Sequence, residues 1–195
     1  YNEEISYIMC VLENGHMGQL YYGKRIHDKP DFSYLVEKCG RPMTSYIFEG
    51  DRSFSLEHIR QEYPVYGTTD YRHPAIEIMQ ENGSNISEFK YVGYEILKGK
   101  PSLKGLPATY TESEEEAETL KIILKDSLTG AKLTLLYTIF SKGSAIARSA
   151  HICNEGEKVL HLQTMMSLNL DLPDKDYVWM QLSGAWSRER YVKNR

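Results

Sequence analysis

Apolar and polar residues alternate with a period of two along much of the chain. Leu160, Leu162, Thr164, Met166, Leu168 and Leu170 fall on one side of an extended backbone, and His161, Gln163, Met165, Ser167, Asn169 and Asp171 on the other. That spacing predicts a long strand with one mostly aliphatic face. Leu133, Leu135, Tyr137 and Ile139 repeat the pattern, as do Leu120, Ile122 and Leu124. Ile76 and Ile78 lead into Asn82-Gly83, the strongest short-range hairpin signal, with the returning strand expected from Ile86 to about Leu97. Within that strand the aromatic phase moves from Phe89 and Tyr91 to Tyr94 and Ile96, which predicts a bulge or sharp bend at Gly93. A further hairpin is read from Ile5 to Leu12, the turn Glu13-Asn14-Gly15-His16, and Gln19 to Ile26. Thr129-Gly130 and Asn154-Glu155-Gly156-Glu157 supply two more turns, and Tyr177 to Leu182 another strand. Only Phe54 to Gln61, with Ser53 or Ser55 as N-cap, predicts a short helix. The expected fold is all-β: a large antiparallel β-sandwich.

Composition narrows the function classes. With 195 residues, 41% of them hydrophobic, the chain can bury a core as one domain or as part of a larger one. The net charge of −4 comes from 27 acids and 23 bases spread along the whole length, which offers no basic footprint for nucleic acid or an anionic membrane. No apolar run approaches the roughly 20 residues that cross a bilayer, and the first residues lack the basic and apolar regions of a signal peptide. Cys10, Cys39 and Cys153 are widely separated, which fits neither a disulfide framework nor a zinc site and suggests a reducing, cytoplasmic setting. In that setting the Asn-x-Ser sequons at Asn82 and Asn85 carry no meaning. The acidic run Glu112 to Glu118, after Pro107, reads as a solvated connection, since a calcium loop would need Asp and Gly at fixed offsets. No His-Glu-x-x-His, Gly-x-Ser-x-Gly, phosphate loop or Gly-x-Gly-x-x-Gly is present, and no cofactor is expected.

Glu49 to Pro74 is the stretch richest in binding chemistry. Gly50, Pro64, Gly67 and Pro74 punctuate it, while Asp51, Arg52, Tyr66, Asp70, Tyr71 and Arg72 offer bidentate hydrogen bonds and flat apolar faces. Such groups suit a polyhydroxylated ring, so a sugar is the first ligand class to consider. The competing interpretation is a long covered loop whose ions pair with one another. Near the C-terminus, Gly184-Ala-Trp-Ser-Arg-Glu-Arg sets Trp186 beside two guanidinium groups, either as a ligand platform or as a structural stack.

A set of short series carries a family resemblance: Pro42-Met-Thr-Ser-Tyr, Phe54-Ser-Leu-Glu, Gln61-Glu-Tyr-Pro-Val-Tyr-Gly-Thr-Thr-Asp-Tyr-Arg-His-Pro, Lys98-Gly-Lys-Pro, Gly105-Leu-Pro-Ala-Thr-Tyr, Glu116-Ala-Glu-Thr-Leu, Ser167-Leu-Asn-Leu-Asp and Leu182-Ser-Gly-Ala-Trp-Ser-Arg-Glu-Arg. In order, from near residue 5 to the end, they resemble the N-terminal region of family 36 α-galactosidases, which hydrolyse melibiose and raffinose. The resemblance implies a β-supersandwich of the galactose mutarotase type, cut short at its C-terminal side, with a (β/α)8 catalytic barrel downstream. Residues 1–195 would then be part of one N-terminal domain. In that family one Asp attacks the anomeric carbon and another serves as acid and base, both in the barrel. The family's Lys-Trp-Asp nucleophile motif is missing here. No catalytic residue is therefore carried over, and the chain alone is expected to be inactive. The implied partners are a galacto-oligosaccharide, the barrel and neighbouring subunits of a homotetramer. Asp51, Arg52, Tyr66, Asp70, Arg72 and Trp186 are the expected substrate contacts. Two alternatives belong to other classes: an autonomous carbohydrate-binding module, and an aldose epimerase-like sandwich, which needs a His and a Glu on opposite sides of a sugar ring.

Overall fold

The computed structural model describes residues 1–40, 43, 45–105 and 108–195. Pro42 and Thr44 of the first motif and Leu106 and Pro107 of the fifth lie outside them. Among the described residues ten strands, all paired antiparallel, carry the architecture: β1 (Ile5–Val11), β2 (Met17–Lys24), β3 (Ile76–Gln80), β4 (Lys90–Lys98), β5 (Ala117–Lys125), β6 (Ala131–Phe140), β7 (Ile146–Asn154), β8 (Leu160–Met165), β9 (Met180–Ala185) and β10 (Arg188–Asn194). Strands β4 to β7 form one sheet in chain order, and β1 with β2, β3 with β8 and β9 with β10 make three two-stranded sheets. The only helical pieces among the described residues are 3-10 turns at Ser33–Leu35 and, in the exposed acidic connection, Glu114–Glu116.

The inner face of the four-stranded sheet is the alternation read from the sequence. Leu124, Leu133 and Ile152 stand opposite one another, as do Ile122, Leu135 and Ala150. Over them lie Met17 of β2, Ile76 and Ile78 of β3, and Leu160 and Met165 of β8, with Leu133 and Leu135 fully buried. A second cluster of Leu12, Phe54, Leu56 and Ile59 anchors the long connection between β2 and β3. The register of β4 against β5 shifts between Tyr91 and Gly93, so the expected bulge is present. It keeps Tyr91, Tyr94 and Ile96 on the inner face, opposite Leu124, Ile122 and Leu120.

Four expectations are corrected. The Asn82-Gly83 turn forms, with Gly83 N–H donating to the Gln80 carbonyl at 2.9 Å and Gly83 at φ 81°, but β3 pairs with β8 rather than with the strand that follows the turn. The returning chain is drawn off by Ser87 N–H to the Tyr66 carbonyl, Glu88 N–H to Asp126 and Tyr91 N–H to the Gly15 carbonyl, and becomes a strand only at Lys90. Strand β8 ends at Met165 instead of continuing to Leu170: Met166 N–H still donates to the Ala75 carbonyl at 2.8 Å, but the Ala75 N–H turns away to the Pro64 carbonyl. No helix forms over Phe54 to Gln61: one turn closes when His58 and Ile59 N–H groups donate to the Ser55 carbonyl, and Arg60 and Gln61 then go to β2. The Tyr177 strand starts at Met180 and turns at Trp186-Ser187 into β10, making a hairpin outside both core clusters.

Candidate functional site

The connection from Ser45 to Ala75 is built as two turns on a polar spine. Phe48 and Asp51 bridge across Glu49-Gly50, with Gly50 at φ 84°, a left-handed value that glycine adopts at little cost. Asp51 Oδ1 then accepts the Ser53 N–H at 2.8 Å and the Ser53 hydroxyl at 2.6 Å. Those bonds hold the half-buried Asp51 carboxyl below its ordinary range. Arg52, next along, is exposed. The turn therefore presents an ionised carboxylate and a guanidinium side by side from a fixed backbone.

Beneath it the spine runs through Gln61 and Glu62, both essentially inaccessible. The Glu62 carboxylate accepts hydrogen bonds from the Tyr7 and Tyr137 hydroxyls at 2.8 Å and pairs with Arg148 at 2.8 Å. Burial pushes the Glu62 carboxyl upward, with Arg148 and the tyrosines opposing it, and desolvation raises both tyrosines well above their ordinary value. Arg148 also donates to the carbonyls of Glu62 and Asn169, fastening β7 to the loop and to the chain beyond β8. Gln61 donates to Asp70 Oδ2 at 2.6 Å, and its Oε1 lies 3.2 Å from His16 Nδ1.

Asp70 and Arg72 are brought together as a brace. Asp70 is buried, and Arg72 reaches it through Nε and Nη2 at 2.9 Å while Nη2 also serves the Leu56 and Ile59 carbonyls. The outer Nη1 faces Asp171 at 3.5 Å. This is the loop whose ions pair with one another. Tyr66 stands exposed on the neighbouring turn. Trp186, 92% exposed, sits at the tip of the β9–β10 hairpin, and no cation lies over its ring among the described residues. Sequence reasoning missed Glu62, Arg148, Gln61 and His16. The first three lie in ordinary strand and loop contexts, and only their burial reveals them. His16 Nε2 and Glu88 Oε1 share a cleft but stand 3.8 Å apart, too close to flank a sugar ring as an epimerase would require. The described residues contain no group of three or more His, Cys, Asp or Glu able to hold a metal, and no helix long and apolar enough to cross a membrane.

Comparison with known proteins agrees with this architecture. The family model described as "Glycosyl hydrolase family 36 N-terminal domain" matches residues 15–195. Alpha-galactosidase AgaA of Geobacillus stearothermophilus is 43% identical over 190 residues, covering 97% of this chain and 26% of that protein. A crystal structure of a variant of that enzyme in complex with raffinose superposes with a TM-score of 0.93 at 42% identity, over 100% of this chain and 27% of the other. The alpha-galactosidase of Lactobacillus brevis gives 0.94 at 38% identity, over 99% and 26%. The chain thus spans about a quarter of the length of the relatives it matches. Sandwich topology, motif series and family match converge: the chain belongs to glycoside hydrolase family 36, as the N-terminal β-sandwich domain of its α-galactosidases.

Proposed function

We propose that this domain is the non-catalytic N-terminal part of a cytoplasmic, homotetrameric α-galactosidase that acts on raffinose-type oligosaccharides. In this reading it helps to assemble subunits and walls the entrance to an active site. Support comes from the match of the whole chain to enzymes of that activity, one of them solved with raffinose. The observation that carries the residue assignment is the Phe48–Asp51 turn, which holds a half-buried Asp51 and an exposed Arg52 on a fixed backbone. Asp51 Oδ1 is occupied by Ser53, and its other oxygen and the Arg52 guanidinium can take outer sugar hydroxyls. Tyr66, the outer edge of Arg72 and Trp186 are further contact candidates, with Asp70 orienting Arg72. Bond cleavage requires a pair of carboxylates outside this domain, so its residues act on binding alone.

The test uses full-length enzyme. Asp51→Ala or Arg52→Ala removes hydrogen bonds to a charged group, each worth about 1.5–3 kcal/mol. KM for raffinose should rise at least tenfold with kcat unchanged, while KM for a small aryl α-galactoside stays within about twofold. Equal losses for both substrates, together with a dissociating oligomer, would assign these ions to subunit bracing instead.

A further inference from the structure

We propose that a cleft of ≈ 700 Å³ between the β1–β2 turn and the turns at 67–69, 86–88 and 126–128 binds a small neutral polyhydroxylated molecule such as a monosaccharide, independently of any catalytic site. Its floor carries His16, 4% exposed, whose Nε2 has no hydrogen-bond partner among the described residues. Gln61 fixes what that nitrogen can do. The amide of Gln61 donates to Asp70, so its carbonyl oxygen accepts from His16 Nδ1–H, and Nε2 is left as an acceptor. Burial favours the neutral ring. Thr68 and Thr69, which also line the cleft, have buried hydroxyls without partners among the described residues. Thr69 is held there at φ 68°, a costly conformation for a β-branched residue.

Charge at the rim selects the ligand class. Glu88 leans on Lys90 at 3.2 Å and approaches Nε2 only to 3.8 Å, so the pair is internally neutral, and a hydroxyl reaching Nε2 displaces a half-exposed carboxylate rather than a made bond. An anion would meet Glu88 and Asp126, and a cation would meet Lys90 with too few ligands for a metal. An apolar ligand would leave the imidazole and both hydroxyls unsatisfied. A hydroxyl-rich ring supplies a donor to Nε2, exchanges hydrogen bonds with the threonines and lays its C–H face on Phe48 at the wall.

The experiment follows the His16 Nε2 resonance in full-length protein labelled with 15N-histidine and assigned by its loss in His16→Gln. That readout is local, so sugar bound at a distant active site leaves it unmoved. Galactose, glucose and raffinose are titrated, with tetrahydropyran as a ring that lacks hydroxyls. The expected result is an unprotonated Nε2 that shifts saturably with at least one sugar and not with tetrahydropyran. Thr68→Val should weaken that binding roughly tenfold, the loss of one hydrogen bond, whereas Thr68→Ser, which keeps the hydroxyl, should retain it. No sugar-dependent shift, a protonated Nε2, an Nε2 already hydrogen-bonded without sugar because another protein segment fills the cleft, or binding unchanged in Thr68→Val would each overturn the proposal. Unchanged raffinose kinetics in Thr68→Val would leave the Asp51 and Arg52 reading standing, so the two fail separately.

Discussion

At the residue scale, Glu62 and Arg148 illustrate how a buried ion pair commits its surroundings. Glu62 is inaccessible and Arg148 nearly so; two tyrosine hydroxyls serve Glu62 and two carbonyls serve Arg148, whose Nε has no partner among the described residues. Truncating one partner leaves the other charge uncompensated, so Arg148→Met should cost about 3–5 kcal/mol. Adding Glu62→Gln to that variant keeps an acceptor for Tyr7 and Tyr137 while removing the stranded charge. It should recover at least about 1 kcal/mol. Denaturant midpoints of the two single variants and the double variant measure this, and simple additivity would refute the coupling. His16 gives a prediction of its own. Burial lowers its pKa below the unfolded value of roughly 6.5. Below that pH the unfolded chain binds a proton that the native ring resists, so stability is complete above about 6.5 and declines as the solution becomes more acid. His16→Gln should flatten that part of a Tm-against-pH curve, and an unchanged slope would place the titration elsewhere.

Among the elements, the tight turns are the most exacting. Gly156 closes the β7–β8 connection against the Thr129-Gly130 turn, and a Cβ there would overlap the Thr129 carbonyl. Gly93 lies at the β4 bulge with open space where its Cβ would be and no left-handed φ. Gly156→Ala should therefore lower stability by about 1–3 kcal/mol, as overpacking against backbone does, whereas Gly93→Ala should stay within about 0.5 kcal/mol. A comparison of thermal midpoints separates the two, and equal losses would show that the bulge itself depends on glycine. The same elements show where local reading works. Period-two alternation from Leu120 to Ile139 specified strands and faces because both β5 and β6 are covered on one side. Phe54 to Gln61 failed as a helix because its N-cap and apolar spacing served one turn, after which the backbone of Arg60 and Gln61 found partners on β2.

For the whole molecule, the uneven burial of apolar surface has consequences. Tyr94 and Ile96 share the core-facing side of the sheet with Ile122, yet each is about 60% exposed, since nothing among the described residues packs over the end of β4. Trp179, Met180, Leu182, Tyr191 and Val192 add exposed apolar area on an isolated hairpin, an arrangement marginal in water by itself. The 195-residue chain expressed alone should therefore associate. Light scattering at micromolar concentration should find dimers or larger species, and Tyr94→Lys with Ile96→Glu should shift them toward monomer. A clean monomer with a sharp cooperative melt would show that these faces need no cover.

The sequence by itself determined the strand class, most strand positions, the β1–β2 hairpin, the β4 bulge and, through its ordered motif series, the family. These depend on local signals, alternation and turn residues that act over a few positions. Tertiary structure decided which strands pair and what the polar residues do. The strongest hairpin signal in the chain, Asn82-Gly83, made its turn but lost its partner, because β8, about 80 residues later, offered β3 an aliphatic face to complete the core. Asp70 and Arg72 looked like ligand groups, and folding turned them toward each other beneath the loop. Glu62, Gln61 and His16 looked ordinary until burial gave each of them a fixed partner. Pairing at long range and the removal of water are properties of the folded chain, since both depend on residues that no local window contains.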